Sequence, residues 1–213
     1  MRVLWQCVAT PARWRIRRRA EGPLGEQQHA AGPLGLLACR AGNVAVEFGL
    51  AAPVLLLMML ASVELARFVL LHQKMDRVAT TISDLVARAE TISESQLDDI
   101  FLAADQVAEP FDLANLGLVI VSSVTNPDGE GPVVAWQRSG GGSYSASSHL
   151  GAEGDEAVLP AGFEVREGET AIISEVYYDF APFLSELIVE PQEVYRVAHH
   201  RPRLGTLEEI EPD

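Results

Sequence analysis

The sequence predicts an α+β protein in which an N-terminal transmembrane helix, extended by an amphipathic helix, leads into a small antiparallel β-sheet domain. Three observations carry this. From Phe48 to Val63 no residue is charged. A helical apolar periodicity continues beyond that run, and past Pro110 it gives way to short β-branched runs set off by turn residues. At 213 residues and 48% apolar content, the chain is long enough for one modest folded domain plus extensions, and too apolar for wholesale disorder.

A helix from Phe48 to Leu71 has 24 residues and, at about 1.5 Å each, is roughly 36 Å long, enough to cross a hydrocarbon core of about 30 Å with some tilt. Glu64 and Arg67, three apart on one helical face, can pair near the headgroups. A cleaved secretory signal would have an apolar region of only about 7–15 residues and a small-x-small site after it. Here the run leads straight into "RFVLLHQKMDRVATTISDLVARAE", so the helix is expected to be retained. The lipoprotein-like "LLAC" at Leu36–Cys39 lacks an apolar region before it.

Charge orients the span. Residues 1–42 hold seven arginines against Glu21 and Glu26, a balance of +5, and residues 43–213 hold 9 basic and 28 acidic residues, a balance of −19. Basic residues ahead of the span place the amino end in the cytoplasm and the acidic body outside. That body has the wrong sign for nucleic acid. The two cysteines, Cys7 and Cys39, both precede the span, so the exported part can form no disulfide of its own.

Beyond the membrane, Met75, Val78, Ile82, Leu85, Val86 and Ala89 mark one face of an amphipathic helix. "TISESQ" interrupts it, with Ser93 and Gln96 spaced as a capping box. The helix it opens should turn Leu97, Ile100, Phe101, Ala104 and Val107 inward and end before Pro110. "GLVIVSSV" (Gly117–Val124) and "PVVAWQRS" (Pro132–Ser139) flank the turn "TNPDGEG" and read as a hairpin. Gly168–Phe183 reads as a third strand and Gln192–Leu204 as a fourth. Four such strands cannot bury much alone, so helical faces must cover one side of the sheet.

No catalytic constellation emerges, and neither a cofactor nor a metal site is expected. Gly140, Gly141 and Gly142 match no phosphate-cradling pattern. His199 and His200, adjacent in a strand, point to opposite faces and cannot chelate one ion. Asn126, Asp128 and Glu130 are oxygen-rich but fit a hairpin turn better than a calcium loop. No serine lies in GxSxG.

Glu47, at the mouth of the apolar run, is costly to carry into hydrocarbon and therefore asks for a partner or a function. Gly42, four residues, then Glu47 and an apolar helix resemble a type IV prepilin processing site. The wider stretch from Gly42 resembles the TadE-like family (TadE/TadG, pilus assembly in the tight-adherence or Flp system), through Ala45, Val46, Glu47, Phe48, Pro53, Glu64 and Arg67. The "RPR" at Arg201–Arg203 is also similar to that group.

The resemblance implies a pilin-like fold and a minor pilin or pseudopilin in the bacterial inner membrane, single-pass and without catalysis. A prepilin peptidase would cut between Gly42 and Asn43, where the absence of a side chain lets the enzyme close on the backbone. Other pilins and pilus assembly proteins would be its partners, and Glu47 could neutralise an amino terminus among bundled helices. The chain then divides into a basic cytoplasmic leader (1–42), a transmembrane helix (43–71), an amphipathic helical segment (72–109), an exported β-rich domain (110–205) and an acidic tail (206–213). The alternative from another class is a signal-anchored periplasmic binding or scaffold domain unrelated to pili, to which Glu47 at the membrane entrance would be of no use.

Overall fold

The computed structural model describes residues 40–182 and 189–212, with side chains from residue 44 onward. The arginine-rich leader with Cys7 and Cys39 lies outside them. The chain divides into two units between Leu50 and Ala51. The described part of the first is the opening of helix α1, and the second holds the folded head.

Helix α1 runs from Arg40 to Ala87 and is the one described helix long and apolar enough to cross a membrane. Its first half exposes apolar side chains all round, among them Phe48, Leu50, Leu55, Leu57 and Met58. That distribution suits surrounding hydrocarbon and is costly in water. Pro53 lies inside the helix, where it removes one backbone bond, a defect that membrane helices tolerate.

The second half of α1 is amphipathic, burying Leu71, Met75, Val78, Ala79, Ile82 and Val86 completely. Leu85, expected on that stripe, is 39% exposed instead. Ten residues after Met75 it sits about 80° around the helix axis, at the stripe's margin.

Helix α2 (Glu94–Ala108) opens on the expected capping box, with Gln96 N donating to Ser93 Oγ at 3.4 Å and Ser93 N to Gln96 Oε1 at 3.2 Å. Leu97, Phe101, Ala104 and Ala108 are its buried set. Ile100 and Val107 only reach the rim of the core, because the stripe follows the 97–101–104–108 spacing. A single-turn helix α3 (Leu113–Leu116) then feeds the sheet.

Strands β1 (Gly117–Thr125), β2 (Val133–Gly140), β3 (Thr170–Phe180) and β4 (Gln192–His200) form one antiparallel sheet in the order β2-β1-β3-β4. The predicted hairpin is β1–β2, with a bulge at Ser123/Val124. Strand β4 stops at His200, four residues short of the expected end.

One face of the sheet, with Val119, Val121, Trp136, Ile172, Val176, Tyr178 and Phe180, shares a core with α1 and α2. The opposite face is covered as well. Leu150, Ala157, Leu159, Phe163 and Val165, from the long connection between β2 and β3, pack on Val124, Val134, Ala171 and Ile173. The central strands are therefore buried on both sides, where the sequence led us to expect helical cover on one.

The acidic tail is part of the fold. Leu207 is buried, and its carbonyl accepts from Trp136 Nε1 and Ser123 Oγ, each at 2.8 Å. Just ahead of the tail Arg203 N bonds the Ala87 carbonyl at the end of α1, and within it Glu211 N bonds Ile92 O. The tail thus straps the junction of the two long helices against the sheet.

Candidate functional site

The residues singled out from sequence fall at two heights along α1. Gly42 and Asn43 lie in its first turn, where the structure describes the backbone alone. Glu47, five residues after Gly42 and about 7.5 Å further along the axis, is exposed among Val44, Val46 and Phe48.

Glu64 and Arg67 lie where the exposed half of α1 meets the core-packed half. Glu64 is 1% exposed, and its Oε1 is 3.6 Å from Arg67 Nη1. The same guanidinium donates to the Ala181 carbonyl at 3.3 Å and lies over the rings of Phe180 and Phe111. Phe68, one residue on, meets Phe180 edge to face at 5.2 Å. A charge pair, a hydrogen bond and aromatic contacts thus converge where the membrane segment joins the head.

The opposite face of the sheet holds a polar cluster that the sequence reading missed. Glu175 in β3 is fully buried and accepts from Tyr195 Oη at 2.9 Å, from His149 N at 2.9 Å and from the Ser148 hydroxyl. Tyr177 Oη lies 3.1 Å from the same carboxylate and 2.9 Å from the Ser147 carbonyl. Burial first, and the Glu175 charge second, push both tyrosine hydroxyls well above their ordinary range. They stay protonated as donors.

This cluster does not have the geometry of an activated nucleophile. Ser148 points its proton at a carboxylate, and His149 contributes its backbone N–H while its ring stacks on Tyr195 at 4.3 Å. Its effect is to clasp the connection 147–149 onto the sheet. A hint lay in the acid at the centre of the apolar strand "AIISEVYY", but nothing in sequence paired it with Ser148.

The histidines follow the strand alternation. His200 Nδ1 is 2.8 Å from Ser83 Oγ on α1, whereas His199 stacks on Phe163 on the other face, with centroids 3.9 Å apart. Among the described residues no group of three or more His, Cys, Asp or Glu is placed to hold a metal ion. The RPR residues make surface pairs, Arg201 with Glu169 and Arg203 with Asp84, both at 2.9 Å.

Comparison with known proteins gives one result. A family model described as "TadE-like protein" matches residues 42–83, the stretch that contains Gly42, Glu47, Glu64 and Arg67. No curated protein and no solved structure matches the chain.

Proposed function

We propose that this chain is a minor pilin or pseudopilin-like component of a tight-adherence pilus, held in the inner membrane by α1 with its head exported. The TadE-like match ties residues 42–83 to a family associated with that pilus system. The observation that carries the finer reading is the placement of Gly42 and Glu47 at the start of an apolar, exposed helix that continues unbroken into an α+β head. Prepilins need that combination, because the helix must stay in the membrane after the leader is removed.

In this reading a prepilin peptidase cuts the Gly42–Asn43 bond on the cytoplasmic side. The new amino group carries a positive charge, and Glu47 of a neighbouring helix offers it a counter-ion at the membrane entrance. The arginines before the span hold the amino end inside. The chain supplies helix packing and a folded head, with no reaction of its own.

The test is Glu47→Gln. Removing the charge makes insertion less costly, so membrane levels should be normal while pilus output and surface adhesion fall. Normal output from that variant would reduce Glu47 to a side chain that merely reaches interfacial water and would reject its role in assembly.

A further inference from the structure

The two edges of the sheet are treated differently. The outer edge of β2 is closed by the chain itself: Val134 N bonds Asp155 O, Gly154 N bonds Val134 O, and Gln137 N reaches Glu153 Oε2. No described backbone group outside the sheet bonds the residues of β4. A nine-residue strand whose edge is open among the described residues is a template for another strand, and proteins usually cover or blunt such edges.

The carbonyl of Tyr195 takes a bond from the Arg196 guanidinium at 2.7 Å. By the alternation of an antiparallel ladder, Glu193, Tyr195, Val197 and His199 then direct their N–H and C=O groups outward. These residues also share the sheet face opposite the helices. Pro191 and Pro202 bound the edge, since neither can donate to a ladder.

We infer that this edge pairs with β4 of a second copy, antiparallel about a two-fold axis at Val197. In that register Glu193 faces Arg201 of the other copy, Tyr195 faces His199, and Val197 faces itself. Arg196 on the other face meets the small Ala198. Opposite charges, an aromatic pair and a β-branched pair are the favoured cross-strand contacts, and no like charges stand opposite each other. Shifting the axis to Arg196 would set two guanidinium groups face to face. The strand is thus self-complementary about Val197, as an isologous interface requires. Glu193 and Arg201 are both exposed and able to turn outward from their present partners, Tyr144 and Glu169. The Arg196 guanidinium releases the Tyr195 carbonyl and keeps its 3.0 Å pair with Asp76.

The inference is independent of leader processing and is tested on the full chain in membranes, with Cys7 and Cys39 replaced by Ser. Val197→Cys should oxidise to a disulfide-linked dimer, because residues directly opposite in such a ladder lie about 5.5 Å apart, within disulfide range. Val158→Cys, an exposed control, should cross-link several-fold less. Glu193→Arg and Arg201→Glu should each lower the dimer fraction several-fold in detergent, and the double variant should restore it. Equal cross-linking at both cysteines, a product containing a different protein, or charge swaps without effect on the dimer fraction would each overturn the inference.

Discussion

The guanidinium carbon of Arg67 lies 5.5 Å from the ring centroid of Phe180, joining the helix that leaves the membrane to the end of the central strand β3. The same group faces Glu64 and donates to Ala181 O. Arg67→Ala should therefore loosen the head from α1, with a loss on the order of 2 kcal/mol from its contacts with the Phe180 and Phe111 rings and one charged hydrogen bond. Arg67→Lys keeps the charge but loses the planar stack and should fall between. Chemical denaturation of the detergent-solubilised chain reads the difference, and equal midpoints for all three proteins would show that the contact contributes nothing.

The clasp at Glu175 gives a larger effect. Glu175→Leu leaves the hydroxyls of Tyr195 and Ser148 and the His149 N–H without their acceptor. Each orphaned donor costs about 1–3 kcal/mol, so the loss should exceed about 3 kcal/mol. Hydrogen exchange should quicken first at residues 147–150. Unchanged exchange there would mean that the connection is held by its apolar contacts alone.

Stability should also fall on mild acidification, in part through His199. Partial desolvation of its ring, which packs against Phe163 although the residue is exposed, then the charges of His200 and Arg201, hold its imidazole below the ordinary value of 6.5. The unfolded chain therefore takes the proton first. The contribution is fully present above about pH 6.5 and is lost as pH falls from there through the folded value. His199→Phe should flatten that part of the stability profile between about pH 7 and about pH 5. A variant whose profile runs parallel to that of the natural chain would contradict this.

What the sequence made legible was local. The capping box at Ser93 and Gln96, the turn between β1 and β2 and the opposite faces of His199 and His200 all follow from spacing over a few residues. The misses are long-range. The apolar side chains of Leu150, Ala157, Leu159, Phe163 and Val165 follow no period, yet they cover one face of the sheet. The glycines at the end of β2 allow close packing: a side chain at Gly140 would strike Phe101, and one at Gly142 would strike the Gly117 carbonyl. Such close approaches, like the Glu175 clasp, depend on tertiary neighbours that no sequence spacing reveals. Gly42 and Glu47 were legible as a motif because the TadE-like resemblance lies in one short linear stretch.

The most direct test of the central claim is the mass and N-terminal sequence of the chain isolated from a membrane that contains its prepilin peptidase. A pilin-like protein should begin at Asn43 and be lighter than the 213-residue chain by its 42-residue leader. Gly42→Trp should retain the full mass, because the peptidase must close on that backbone. A natural chain that keeps residues 1–42 attached to α1, or one cut elsewhere, would contradict the account.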